Sequence, residues 1–215
     1  MKIFKAALFD LDGTLFDTEP QYTQFWKKIG DEYLPDIKDF HNLIKGTTLE
    51  SIFDRFFPDN SIRELITNKL DAFENNMNFV FVNGAKKFLV DLIKNGVKCA
   101  IVTSSNQKKV DALRKFFPDI DNFFVDIIVS DMFKRSKPYP DCYLFAAHKL
   151  DVRDEECIVF EDAINGVKAA KSACMYTIGL STTNSENILS DLCDFVVKDF
   201  SQLNYKFVNH LFINN

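Results

Sequence analysis

Glycine is scarce, with seven in 215 residues, so each is expected to answer a local backbone need. Cysteine is held to five, at Cys99, Cys142, Cys157, Cys174 and Cys193, an odd set without a CxxC pair. That excludes a disulfide framework, and the apolar runs around several of them predict buried thiols in a reducing compartment, the cytoplasm. The three histidines, His41, His148 and His210, are scattered and predicted to be surface or packing residues, which gives zinc chemistry no support. No apolar stretch approaches a membrane span, and Asp10 and Asp12 end the first apolar run before a signal-peptide core could form. A cationic excess is also missing: 26 Lys and Arg against 31 Asp and Glu give a net charge of -5 and a pI near 5.3. Nucleic acid and membrane are therefore not expected partners.

Hydrophobic residues make up 47% and charged ones 27%, enough for one good-sized core or a core with a substantial insert. The 23 phenylalanines predict an aromatic-rich interior, so a Phe stripe is read as packing.

The chemistry begins at Phe9-Asp10-Leu11-Asp12-Gly13-Thr14-Leu15. The run from Ile3 to Phe9, broken only by Lys5, reads as a buried strand that empties into two carboxylates two residues apart. Such carboxylates point the same way along an extended chain, and a divalent cation would relieve their repulsion. A solvated Asp-Gly turn is the plain alternative. An EF-hand loop is excluded, because Leu15 stands where its sixth-position glycine belongs.

From the first strand to about Val80 only helices are predicted. One begins near Glu19-Pro20 with Thr18 as cap and Gly30 as its end; a short one surrounds Phe40 to Ile44. Another runs from Leu49 to Phe57, and a long one is capped by Ser61. After Val80 helices alternate with strands, placed at Val97–Val102, Phe124–Val129, Cys157–Phe160, Met175–Ile178 and Phe195–Val197. Repeated strand–helix units mean an α/β fold, a doubly wound parallel sheet with helices on both faces. Ligands in such sheets bind at the carboxyl ends of the strands. Those ends carry Asp10 and Asp12, then Thr103 and Ser104, then Lys137, then Glu161 and Asp162. Singly these are a turn, a helix cap, a surface lysine and dipole-favouring acids. Together they offer carboxylates for a cation, donors for phosphate oxygens and one ammonium between them.

In order and spacing these motifs resemble the haloacid dehalogenase superfamily: Asp10-Leu11-Asp12-Gly13-Thr14, Thr103 with Ser104, Lys137-Pro138, and Glu161-Asp162. The resemblance covers essentially the whole chain. It implies a Rossmann-like core, residues 1–16 and 81–215, with an inserted α-helical cap domain, residues 17–80, similar to the β-phosphoglucomutase-like and sugar-phosphatase branch. It further implies an Asp10 nucleophile, Asp12 as acid and base, and Thr103, Ser104 and Lys137 serving the transferring phosphoryl group. Mg²⁺ would be held by Asp10, the Asp12 carbonyl and Asp162, with Glu161 as a ligand or behind the ligands. A closing cap would bring Glu19, Lys45, Gly46 and Thr47 to the substrate.

The expected activity is Mg²⁺-dependent hydrolysis of a small phosphorylated metabolite, a sugar phosphate in first place, with no obligate protein partner inferred. A phosphomutase is the alternative, and a non-catalytic phosphate-binding protein a remote one. The mutase pattern has a His where this chain has Tyr22, and an Arg where Gly46-Thr47-Thr48-Leu49 ends in Leu49. A haloalkanoate dehalogenase lacks the second carboxylate, present here as Asp12. A phosphorylated receiver module has neither the cap nor the paired Asp-x-Asp.

Overall fold

A computed structural model describes residues 3–214. In chain order the elements are β1 (Ala6–Phe9), α1 (Glu19–Tyr33), α2 (Phe40–Leu43), α3 (Leu49–Phe56), α4 (Asn60–Asn75), α5 (Ala85–Lys94), β2 (Lys98–Val102), α6 (Gln107–Phe116) and β3 (Asp126–Ile128). They continue with α7 (Asp141–Lys149), β4 (Cys157–Glu161), α8 (Ile164–Ser172), β5 (Tyr176–Leu180), α9 (Glu186–Ser190), β6 (Phe195–Val197) and α10 (Tyr205–Ile213). The six strands form one parallel sheet in the order β3-β2-β1-β4-β5-β6. The fold is therefore the expected α/β doubly wound one, and strand order reverses between β1 and β4, where a ligand crevice belongs.

Strand alternation builds a core on each face. Ala7 and Phe9 turn to one side, with Phe88 and Leu92 of α5, Leu113 of α6 and Phe212 of α10. Ala6 and Leu8 turn to the other, against Cys142, Tyr143 and Ala146 of α7 and the alanines of α8. Burial on both faces explains why these strands read as unbroken apolar runs. Phe9 and Phe160 stack at 4.7 Å between ring centres, with Phe88 and Phe200 around them. Offset ring pairs of this kind add about 1 kcal/mol each beyond the area they bury. They brace β1 and β4 one residue before Asp10 and Glu161.

Between β1 and α5 the chain is helical, as predicted, and α1–α4 bury their own core around Trp26, Phe40, Phe53 and Ile66. The two connections to the sheet run side by side, Asp17 N–H to Val80 C=O at 2.8 Å and Val82 N–H to Leu15 C=O at 2.9 Å.

Several local expectations are corrected. Helix α1 passes through Gly30 to Tyr33, because Gly30 lies where a β-carbon would press on the Phe40 ring at 3.2 Å. Thr18 precedes α1 without capping it; its hydroxyl donates to Asp12 instead. Helix α4 is capped by Asp59, which accepts from the Ser61 N–H. The strand from Ile3 shortens to Ala6–Phe9, since Phe4 packs into the core without laddering. Cys99, Cys142 and Cys157 are buried, but Cys174 is exposed and Cys193 only partly covered.

Candidate active site

Asp10 follows β1 and Glu161 ends β4, and the register Phe9↔Phe160 sets them side by side at the switch in strand order. Lys137, on the segment between β3 and α7, is buried and drives its ammonium between them. It donates to Asp10 Oδ1 at 2.6 Å, to Glu161 Oε1 at 2.7 Å and to the Val102 carbonyl at 3.2 Å. All three ammonium protons are thereby used. Burial opposes the charge on Lys137, but the carboxylates of Asp10 and Glu161 hold its pKa well above the ordinary value. Glu161 is equally occupied: Oε1 also accepts from the Tyr143 hydroxyl, and Oε2 accepts from the N–H groups of Asp162 and Ala163. That occupancy fits a carboxylate that steadies Lys137 better than one that ligates an ion directly.

Carboxylate oxygens of Asp10, Glu161 and Asp162 lie within 4.8 Å of one another. Asp162 accepts from the Thr14 hydroxyl on Oδ1 at 2.9 Å, while its buried Oδ2 has no hydrogen-bond partner. Burial pushes the Asp10 carboxyl up to about 8 against the pull of Lys137, and burial with the neighbouring carboxylates pushes Asp162 well up. Acids this reluctant to ionise next to each other, with an orphaned buried oxygen, fit a hard divalent cation with oxygen ligands. The residues present thus suit Mg²⁺.

Asp12 departs from the expected convergence of four carboxylates. Its side chain is absent from that cluster and turns the other way, accepting from Thr18 Oγ1 at 2.5 Å, from Ser105 Oγ at 3.3 Å and from the ammonium of Lys109 on both oxygens. Asp12 thus brings no side-chain oxygen to that cluster.

The predicted phosphate loop behaves differently at its two residues. Thr103 is buried, and its hydroxyl accepts the Ser105 N–H at 3.0 Å, which leaves the hydroxyl proton for a ligand oxygen. Ser104 instead donates to the Gly46 carbonyl at 3.1 Å, tying the loop after β2 to the helical block. Two more bonds join the same surfaces, Asn165 Nδ2 to the Lys45 carbonyl and the Thr48 N–H to Ser136 Oγ. Over the site these contacts roof a cavity of about 880 Å³, lined by Asp10, Asp12, Thr103, Ser104 and Lys137 from the sheet side. Glu19, Lys45, Gly46 and Thr47 line it from the helical side. Lys45 pairs with Glu19 at 3.1 Å; burial raises the Glu19 pKa and Lys45 restrains the rise. Thr47 spends its hydroxyl on the Ile44 carbonyl at 2.6 Å. The loop Lys45–Thr47 thus reaches the site with its backbone and one paired ammonium. His41 lines the outer cavity, and His148 and His210 are exposed.

Sequence reasoning missed Lys109, Tyr22, Glu74 and Tyr143 as parts of the site. Lys109 lies one residue before Val110 and four before Leu113, on the buried face of α6. That helical phase was the available signal. Tyr22 stands where the mutase pattern has a histidine, and its hydroxyl donates to Glu74 at 2.6 Å.

The haloacid dehalogenase-like hydrolase profile matches residues 4–173. The chain is 30% identical over 177 residues to a phosphorylated carbohydrates phosphatase of Thermotoga maritima, covering 79% of this chain and 81% of that one. It is also 30% identical to a β-phosphoglucomutase of Bacillus subtilis, over 93% of this chain and 91% of that one. Its structure resembles a family IA, variant 3 hydrolase of Entamoeba histolytica with a TM-score of 0.84, at 26% identity, over 98% of this chain and all of the other.

Proposed function

The chain belongs to the haloacid dehalogenase-like hydrolases, and from that premise we propose that it is a Mg²⁺-dependent phosphatase of a small phosphorylated metabolite, a sugar phosphate by first preference. The observation that carries the reading is the buried trio of Asp10, Lys137 and Glu161 beside the orphaned oxygen of Asp162. It pairs a nucleophilic carboxylate with a charge balance and a cation site beside the cavity that Asp10 and Lys137 line. The phosphatase and mutase relatives support the class of substrate.

Asp10 attacks phosphorus, forming an O–P bond while the ester P–O bond breaks, and the leaving oxygen takes a proton from Asp12. Water then attacks the aspartyl-phosphate, gives a proton to Asp12, and the Asp10–phosphorus bond breaks to release inorganic phosphate. Thr103 and the backbone N–H groups of its loop bind the transferring oxygens, and Lys137 keeps Asp10 in place as charge shifts. Asp10, the Asp12 carbonyl and Asp162 would hold Mg²⁺, which when bound would supply the positive charge that lets one anion approach another.

Residues 17–80 serve as a cap domain on the core formed by residues 1–16 and 81–215. The separate core of α1–α4 and the paired connections at Asp17 and Val80 support that division, and the three hydrogen bonds from Lys45–Thr48 to the core fit a closed state. Substrate binding then falls to the backbone of Ser104, Gly46 and Thr47 and to the paired side chains of Glu19 and Lys45. Five unpaired thiols favour the cytoplasm as its compartment. Among the described residues no helix is long and apolar enough to cross a membrane.

Purified protein tested with Mg²⁺ against a panel of phosphorylated metabolites should release phosphate from at least one sugar or polyol phosphate, and chelation should stop it. Asp10→Asn, nearly isosteric, should abolish release with an unchanged circular dichroism spectrum. Turnover that survives both exhaustive chelation and Asp10→Asn would overturn the reading.

A further inference from the structure

Lys109 is completely buried, a position lysine almost never takes unless paired. Its ammonium meets both carboxylate oxygens of Asp12 and lies 4.4 Å from the centre of the Tyr22 ring. Tyr22 is on α1, and its hydroxyl donates to Glu74 of α4. Burial raises the Glu74 pKa, with Lys109 acting against the rise. Thr18, just before α1, donates to the same Asp12 carboxylate, and Ser105, just before α6, donates from the core side. Asp12 is therefore gripped between a core helix and the helical block.

A charge-neutralising lysine would need only to lie near the acidic cluster. Lys109 does more: it contacts both oxygens of one carboxylate, and the ring of Tyr22 confines it from the far side. A two-oxygen contact restricts rotation of that carboxylate, where a single bond would leave it free to turn. Asp12 has to present one oxygen to the leaving group and later to water, so its orientation bears directly on rate.

We propose that Lys109 is a positioning residue that acts through Asp12, fixing the orientation of the acid–base carboxylate and linking it to Tyr22 of the helical block. The proposal rests on the phosphatase reading above. In the first step the Asp12 proton passes to the leaving oxygen, and Lys109 itself gives up no proton and touches no substrate atom.

Two esters separate this role from simple support of the fold. Glycerol 1-phosphate loses an alkoxide that needs the Asp12 proton, whereas p-nitrophenyl phosphate loses a phenolate that leaves unassisted. Lys109→Met should lower kcat/KM for glycerol 1-phosphate by about 100-fold, the scale of a misplaced catalytic group, and leave that for p-nitrophenyl phosphate little changed. Asp12→Asn should lower kcat/KM for glycerol 1-phosphate at least as far, and Lys109→Met added to Asp12→Asn should cost nothing further on that ester, as residues acting through one another are not additive. Lys109→Arg should restore part of the loss. Should Lys109→Met fail to fold by circular dichroism, Lys109→Gln, which keeps a donor, is read for the same split. Equal losses on both esters, or an additional loss in the Asp12→Asn background, overturn the role of Lys109 while leaving the phosphatase reading intact. A wild type that hydrolyses neither ester nor any of the panel overturns both.

Discussion

A β-carbon on Gly166 would lie 1.6 Å from Oε1 of Glu161. Helix α8 starts flush against that carboxylate, and only glycine leaves room for it. Glu161 can step aside only by breaking its bonds to Lys137, Tyr143 and two backbone N–H groups. Gly166→Ala should therefore shift α8 or expel Glu161, at the roughly 1–3 kcal/mol typical of overpacking. Denaturant unfolding should show the loss, and kcat should fall with it because Lys137 loses its second anchor. Full activity at unchanged stability would mean that Glu161 can move freely.

Lys137 makes a complementary case. Replacing it with Met leaves Asp10 and Glu161 buried without their shared cation. Breaking a buried pair from one side commonly costs about 3–5 kcal/mol. Lys137→Met should melt well below the wild type, and Mg²⁺ should recover more of the melting temperature in the variant than in the wild type, because the ion replaces part of the lost positive charge. Thermal unfolding with and without Mg²⁺ measures both. An identical Mg²⁺ gain in the two proteins would count against a cation at Asp10 and Asp162.

The pH dependence of stability follows from the same carboxyls. Asp10 is pushed from its ordinary 3.8 to about 8 by burial, against Lys137, and Asp162 moves the same way. A carboxyl with a raised folded pKa binds its proton more tightly folded than unfolded. Its stabilising contribution is complete below about pH 4 and is lost as the pH climbs through about 8. Glu156, lowered to about 2 by Arg153 and Lys5, works in the opposite sense but only below its ordinary 4.5. The metal-free protein should thus melt progressively lower between about pH 5 and pH 8. Mg²⁺ selects the ionised forms, so its stabilisation should grow over the same range. A Mg²⁺ gain independent of pH would contradict this.

The fold and the core motifs were legible because each is written locally: apolar runs end in Asp10, Thr103 and Glu161, and parallel sheets gather such ends. What escaped was set by tertiary contact. Gly30 reads as a helix stop until Phe40 is seen to fill the space beside it. Asp12 reads as a companion to Asp10 on one extended run, and contacts from Thr18, Ser105 and Lys109 turn its carboxylate out of the cluster. Ser61 reads as the cap of the last block helix, yet α4 begins at Asn60 and Asp59 takes that role. Ser104 has the right chemistry for a phosphate oxygen, yet the neighbouring Gly46 carbonyl takes its proton.

Whether the phosphoryl group ends on water or on a second sugar oxygen depends on the helical block. A mutase must hold a bisphosphate by its distal phosphate long enough to exclude water. That calls for cations facing the cavity from the block. The two positions where the mutase pattern supplies a His and an Arg carry Tyr22 and Leu49, and Tyr22 is committed to Glu74. Lys45 reaches the cavity but is paired with Glu19, Arg55 lines it with its guanidinium over the Phe56 ring, and Lys69 is turned outward to Glu32 and Tyr33. A missing charge-assisted contact to phosphate weakens binding by about 2 kcal/mol, roughly thirty-fold in occupancy. Water should therefore win the aspartyl-phosphate. Supplied with β-glucose 1-phosphate and a trace of the 1,6-bisphosphate, the enzyme should release inorganic phosphate faster than it forms glucose 6-phosphate. Leu49→Arg should raise the share of glucose 6-phosphate, since it restores one cation. Glucose 6-phosphate forming well ahead of phosphate in the wild type would make this enzyme a mutase, with Lys45 freed from Glu19 as the group to examine next.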